Sequence, residues 1–353
     1  MNRLENMSKP LVWSTALLLT AIVAGCGGST GSAGVPGVPG TPGTPGTPAP
    51  GTAPGAVNLL TAAPYALTTS AGATFSIGSA SGVPNSASFG GNVAMDAPTS
   101  ACTSTPAVSA VGVDSCGLST GVDITNAAVN TAGGLAITGT TIRYNPGTTP
   151  NSAGFNTSVR AVKADVNTAW KDAFNRIGGA LITGPGALDG RVLPPGVYSS
   201  ASTMTLGSGQ TLTLDAGGNA NAVWIFQVGS SMTITGSTVA CTGTAPNYVC
   251  TPTQVKLING ALAKNVFWQV GTPNTGAANG TVTFPAATGP VQNNTIFKGT
   301  ILAGNSVTFA GGTAVEGRVL AGANLLGTPN TQTGGAVTTS GGSTGAVTVT
   351  LPL

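Results

Sequence analysis

Four short segments of this 353-residue chain alternate between hydroxyl-bearing and apolar residues. They are Ser202-Thr-Met-Thr-Leu206, Ser231-Met-Thr-Ile-Thr235, Thr281-Val-Thr-Phe284 and Ser306-Val-Thr-Phe309. A period of two is that of a β-strand, so Met204, Leu206, Met232, Ile234, Val282, Phe284, Val307 and Phe309 are expected to point inward. Thr203, Thr205, Thr233, Thr235, Thr281, Thr283, Ser306 and Thr308 then point outward. If the four strands stack, hydroxyls recur roughly every 7 Å along a strand and about every 4.8 Å between strands. The branched Cβ of threonine restricts χ1, so the grid is ordered before anything binds. Its chemistry is that of a flat, uncharged lattice of hydroxyls and methyls, suited to contact with an ordered surface and lacking any group that breaks bonds.

The rest of the inventory points the same way. The chain has no histidine, which removes the usual general base and the commonest zinc ligand together. Its nine acids are spread along the sequence. Asp165 and Asp172 fall on a helical pattern, where they read as solvated or capping charges, and Asp215 falls at a strand-to-turn junction, where it reads as a turn residue. Glycoside hydrolysis needs two carboxyls facing each other across a bond, and no such pair is evident. We therefore expect no enzyme, no catalytic residue, no metal site, no cofactor and no small-molecule substrate. The basic residues are scattered, so no nucleic acid is expected as a partner. Trp170, Trp224 and Trp268 sit in apolar contexts that read as core and not as sugar platforms. Thr211 and Thr213 form a second alternating set, assigned to another face.

Composition bounds the elements that must carry this grid. Charged residues make up only 6% of the chain, whereas 54 glycines, 24 prolines and 41% hydrophobic residues fit a turn-rich β protein with a real core. Residues 1–25 read as a signal peptide, with Arg3 and Lys9 ahead of an apolar stretch and Val23-Ala24-Gly25 before Cys26. That stretch is shorter than the ~20 residues a spanning helix needs. The small residues followed by cysteine resemble the lipobox of bacterial lipoproteins, which implies lipidation of Cys26, a membrane tether, and an exported protein anchored at the cell envelope or released. Residues 26–56 read as a Gly/Pro/Thr-rich linker and residues 57–353 as the folded domain. Cys102, Cys116, Cys241 and Cys250 remain, an even number allowing three pairings, of which the local one, Cys102 with Cys116 and Cys241 with Cys250, is the simplest.

Within the domain a single helix is expected at about 158–177, with Val159, Val162, Val166, Ala169, Ala173 and Ile177 on its apolar stripe. Elsewhere β-branched runs recur between glycines. Gly299-Thr-Ile-Leu-Ala-Gly304 returns as Gly317-Arg-Val-Leu-Ala-Gly322, and Phe226-Gln-Val-Gly229 is echoed by Trp268-Gln-Val-Gly271. Repetition of this kind implies a solenoid whose coil holds three short strands, with the Cys241 to Cys250 segment as an insertion. The strands at 221–229, 265–271 and 295–303 are apolar on both alternating sets, as expected of a sheet covered on both faces, and the long helix is the natural cover.

The grid spacings fall in the range of oxygen repeats on ice planes, and the sequence resembles the bacterial, algal and fungal ice-binding proteins. The pieces carrying the resemblance are Ala161-Val-Lys-Ala-Asp-Val-Asn-Thr-Ala-Trp-Lys-Asp-Ala173, Leu193-Pro-Pro-Gly-Val-Tyr198, Leu212-Thr-Leu-Asp-Ala-Gly217, Ala222-Val-Trp-Ile-Phe-Gln-Val-Gly229, Leu257-Ile-Asn-Gly-Ala261, Asn265-Val-Phe-Trp-Gln-Val-Gly271 and Gly317-Arg-Val-Leu-Ala321. The resemblance implies a mainly β fold, an irregular right-handed three-sided β-helix with a long α-helix alongside, whose opening coil lies at Ala73 to Asp96. It also implies an ice site on one flat face, on the strands holding Thr203/Thr205, Thr233/Thr235, Thr281/Thr283 and Ser306/Thr308, with the ice crystal as partner of a monomer. Ala323-Asn-Leu-Leu-Gly-Thr328, expected as the next strand of that face, breaks the threonine alternation. A non-catalytic surface adhesin binding another ordered ligand, such as polysaccharide, is the alternative.

Overall fold

The computed structural model describes residues 54–69, 73–76, 87–95, 118–119, 135–139, 141–143, 152–182, 184, 187–237, 242, 251–273, 279–285, 295–309, 312–323, 337–340 and 347–353. The expected signal peptide, Cys26, the expected linker up to residue 53 and Cys102, Cys116, Cys241 and Cys250 lie outside the described residues. In chain order the elements are β1 (Tyr65–Thr69), β2 (Ala73–Ser76), β3 (Ala87–Gly90), β4 (Asn92–Met95), β5 (Leu118–Ser119), β6 (Leu135–Ile137), β7 (Thr141–Arg143) and α1 (Ser152–Phe174). There follow β8 (Ala180–Leu181), β9 (Val192–Leu193), β10 (Gly196–Ser200), β11 (Met204–Leu206), β12 (Thr211–Asp215), β13 (Trp224–Val228), β14 (Met232–Ile234) and β15 (Thr253–Ile258). The last are β16 (Val266–Val270), β17 (Val282–Phe284), β18 (Thr295–Ala303), β19 (Val307–Phe309), β20 (Thr313–Ala321), β21 (Val337–Ser340) and β22 (Val347–Thr350).

All registered strand pairs are parallel, and successive strands of the chain fall on three faces in turn. Because a short parallel strand cannot bury its inner face alone, each coil rests on its neighbours, giving a β-solenoid. One face stacks β8, β10, β13, β16, the second half of β18, the second half of β20, β1, β4 and β7. Another stacks β9, β12, β15, the first halves of β18 and β20, then β22, β3 and β6. The third is a separate seven-stranded sheet in the order β11, β14, β17, β19, β21, β2, β5.

The long strands β18 and β20 each serve two faces and bend at equivalent glycines, Gly299 pairing with Gly317. The corner requires them: Gly299 has φ +113, and a Cβ on Gly317 would stand 1.8 Å from the Gly299 carbonyl oxygen. The repeats read from the sequence thus coincide with structural register, Gly299 on Gly317 and Gln227 on Gln269. The extra length before Gln269 is also located. Eighteen residues, 235–252, separate β14 from β15, against four, 207–210, between β11 and β12.

The coil order in space is not the coil order in sequence. The first coil, β1 to β3, stacks on the last one, Leu67 on Val319, Ala73 on Val337 and Ala87 on Val347. Helix α1 then leads back to β8 at the opposite end; its 23 residues span about 34 Å, close to the ~38 Å of nine stacked strands. It lies over β4, β7, β13, β16 and β18. Val159, Val162, Val166, Ala169, Trp170 and Ala173 pack there on Val197, Val223, Ile225, Phe267, Leu302 and Leu320. That face is therefore buried on both sides, with Trp224, Phe226, Val228, Trp268 and Val270 turned into the solenoid core. Inside, Phe226 stacks on Trp268 with centroids 4.0 Å apart.

The helix starts earlier than its apolar stripe and ends before Ile177. The Gln227 side-chain amide donates toward the carbonyl oxygens of Ala173, Phe174 and Arg176 at 2.8 to 2.9 Å, satisfying groups a helix end leaves open. Gly178 then turns the chain at φ +92. Ile177, expected on the buried stripe, is instead 95% exposed.

Candidate functional site

The strands β11, β14, β17 and β19 are three residues each and share one burial pattern, apolar in and hydroxyl out. Met204, Leu206, Met232, Ile234, Val282, Phe284, Val307 and Phe309 are fully buried. Phe284 and Phe309 stack beneath the sheet at 4.8 Å, which fixes the height of adjacent coils. None of the residues buried under α1 comes from these four strands, so this face is not the one the helix covers.

Register organises the hydroxyls into columns along the solenoid axis. Thr205 pairs with Thr233, Thr233 with Thr283 and Thr283 with Thr308, all four half-buried. The column continues in backbone register through Thr338, Thr74 and Ser119, because the first coils of the chain stack on the last. A second column is set by the bonds Met204 N to Ser231 O at 3.0 Å, Met232 N to Thr281 O at 2.9 Å and Val282 N to Ser306 O at 2.9 Å. It reads Thr203, Ser231, Thr281, Ser306. Within it Thr203 Oγ1 and Ser231 Oγ lie 3.1 Å apart, a side-chain hydrogen bond between coils.

Glycines hold the corner that feeds this face. Gly280 has φ +88 and sits so close to the next coil that a Cβ would lie 2.8 Å from Gly304 Cα. Gly280 N donates to Ser230 O at 2.8 Å and Asn305 N to Gly280 O at 3.0 Å, so Thr281 enters its column level with Ser231 and Ser306.

Of the eight residues expected from sequence, seven fall in these two columns: Thr203, Thr205, Thr233, Thr281, Thr283, Ser306 and Thr308. Thr235 does not. Thr235 N donates to Leu206 O, and the next residue's N–H, from Gly236, donates to Pro285 O; Thr235 therefore stands in a third row, between Gly207 and Pro285, with no hydroxyl beside it on either strand. Ser231 takes its place. Its signal was the hydroxyl at the start of the same alternating segment, but only register shows that β14 is offset by one pair against its neighbours. The strand following β19 is also not the one expected. Residues 324–328 lie outside the described residues, and the strand in register with Val307–Phe309 is β21, which brings Thr338 and not a Leu-Leu pair into line.

Among the described residues, Asp165, Asp172, Asp189 and Asp215 serve the scaffold. Asp215 Oδ1 accepts from Gly217 N at 2.8 Å and from Asn259 Nδ2 at 2.7 Å, and these bonds hold its carboxyl below the usual range. Asp189 Oδ1 accepts from Gly207 N at 2.7 Å. Asp172 pairs with Arg176 at 2.7 Å, and Asp165 accepts from Thr61 N at 3.0 Å, tying the segment before β1 to α1. The two columns themselves contain no ionisable group. What they present is two rows of hydroxyls and methyls over a buried apolar floor.

The chain matches the ice-binding-like family over residues 77–333. The ice-binding protein of Nostoc sp. strain HG1 is 32% identical over 176 residues, covering 48% of this chain and 52% of that protein. Ice-binding protein 1 of Shewanella frigidimarina is 34% identical over 137 residues, 39% of this chain and 12% of the relative. The chain thus spans about half, or less, of the curated relatives it matches. Among solved structures, an ice-binding protein from an Antarctic biological consortium superposes with TM-score 0.56 at 24% identity, over 88% of this chain and 97% of that one. The DUF3494 domain of the Shewanella frigidimarina protein gives 0.54 at 22% identity, over 85% and 99%. These two likenesses establish the β-solenoid fold.

Proposed function

The chain belongs to the ice-binding-like family, and from that membership we propose that it adsorbs to ice through the face formed by β11, β14, β17 and β19. The observation that carries this reading is the in-register column Thr205, Thr233, Thr283, Thr308 on a sheet outside the helix contact. Adsorption to a crystal needs a surface with a repeat, stiff enough that ordering costs little on contact. Parallel coils supply the repeat, and threonine branching over a buried Met, Ile, Val and Phe floor supplies the stiffness. Uncharged hydroxyls and methyls hold neighbouring water less strongly than carboxylates or ammonium groups, so first-layer water can join a lattice. The site is non-covalent and draws on no acid, base or metal. Bound to a crystal surface, the protein would resist growth and recrystallisation or hold its bearer to ice.

The experiment is ice-affinity adsorption and crystal-growth inhibition by the purified chain, with Thr233→Tyr and Thr283→Tyr tested alongside. A ring at either position stands above the columns without touching the buried floor. Circular dichroism is expected to be unchanged and adsorption lost. Retained adsorption with both tyrosines present would refute the assignment of this face.

Export and membrane attachment complete the reading. With Cys26 lipidated, the linker at residues 26–56 tethers the folded part at the cell envelope.

A further inference from the structure

The two columns are not equivalent. In the first, the strands β11, β14, β17 and β19 each contribute threonine, so over these four coils hydroxyl and methyl both repeat, about every 4.8 Å. In the second, Thr203, Ser231, Thr281 and Ser306 alternate. Hydroxyls still recur at each coil, but methyls recur only at every second one, roughly 9.6 Å apart. The missing methyl at Ser231 leaves a notch between the methyl-bearing residues Thr203 and Thr281, and the missing methyl at Ser306 leaves one beside Thr281. A methyl group and a water molecule are of similar size, so each notch has room for about one water.

A serine hydroxyl lacks the second branch that restricts threonine χ1 and needs another restraint to hold its direction. At Ser231 the restraint is present: its Oγ is hydrogen-bonded to Thr203 Oγ1 at 3.1 Å. An oxygen held in direction beside a missing methyl offers a water one defined partner and leaves its remaining bonds free to point outward.

We propose that Ser231 and Ser306 are specificity-determining positions of the face, each seating one water of the first ordered layer in the gap that its missing methyl leaves. The inference rests on the ice-adsorption reading and refines it. Water held in the notches is part of the surface that meets the crystal, and its period along the axis is twice the coil spacing.

The test is to fill the notches with the residue the rest of the array favours. If the face works simply by the number of its threonines, Ser231→Thr with Ser306→Thr improves it. If the notches hold water, the same double substitution lowers adsorbed fraction and growth inhibition, because a methyl occupies each water position. Threonine favours strands, so folding is preserved, and the single Ser306→Thr variant gives a milder version of the same readout. The purified chain, both variants and Thr233→Tyr are assayed together, with circular dichroism and thermal melting as fold controls. Loss of adsorption in the double variant with an unchanged melt supports the inference. Equal or stronger adsorption overturns it while leaving the ice reading intact. A folded wild-type chain that does not adsorb, indistinguishable from Thr233→Tyr, overturns the ice reading itself and the inference with it.

Discussion

Tyr198 holds the entry to the core together with one polar atom and one ring. Its hydroxyl donates to Pro194 O at 2.6 Å, and its ring stacks on Phe226 with centroids 5.4 Å apart, at the start of a row that continues through Trp268 to Phe297. Burial pushes its hydroxyl up to about 12. A phenol whose folded value lies above its unfolded value of 10.0 stabilises the fold fully below that value and loses the contribution as pH rises toward 12. Alkaline unfolding is therefore expected to begin above pH 10, and Tyr198→Phe to make stability less steep in that window, at the cost of roughly 0.5–1.5 kcal/mol at neutral pH for the lost hydrogen bond. Denaturant melts at a series of pH values check both. A variant as pH-sensitive as the parent would show that another group controls the alkaline limb.

At the scale of the element, what decides the fold is how strands turn corners. β18 and β20 pass from one face to the next through Gly299 and Gly317, and the close approach of the two leaves no volume for a side chain. Gly317→Ala puts a methyl into backbone, not into a flexible side chain, so the coil must shift. A loss of stability at or above the upper end of ~1–3 kcal/mol is expected. Thermal unfolding reads it directly, and a melt within a degree or two of the parent would mean the coils can separate without cost. Outside the face, the terminal coil departs from the pattern of the inner ones. Leu181 and Val192 are exposed, where the strands they pair with carry Ser199 and Thr213.

For the whole molecule, the stack joins the first coil of the domain to the last. The first described residues run beside α1, with Thr61 bonded to Asp165 and Arg318 Nε donating to Ala63 O at 2.7 Å, before β1 enters the stack between β20 and β4. If Cys26 carries a lipid, Cys26→Ser is expected to release the protein from the membrane fraction into soluble form without altering ice adsorption, as measured by fractionation and by the same adsorption assay. Membrane retention of the serine variant would refute the anchor.

Much of this was legible in the sequence, because the information is periodic and local. A period of two names the inner and outer residues of each strand, glycines at recurring spacing mark the corners, and strands apolar on both sides announce a covered sheet; Met204, Phe284, Trp224 and Trp268 are buried as those patterns require. What the sequence could not supply is register between segments that are distant along the chain. Alternation is the same whether β14 meets its neighbours through Ser231 and Thr233 or through Thr233 and Thr235, since a two-residue shift preserves which side faces inward. Only backbone pairing decides it. Likewise, nothing local in Ala73-Thr-Phe-Ser76 says that it stacks on Val337–Ser340, hundreds of residues away, so Thr74 and Thr338 joined the column only when the coils closed. The sequence by itself determined the kind of surface; the tertiary structure decided its extent and its rows, because hydrogen bonds between coils set the alignment.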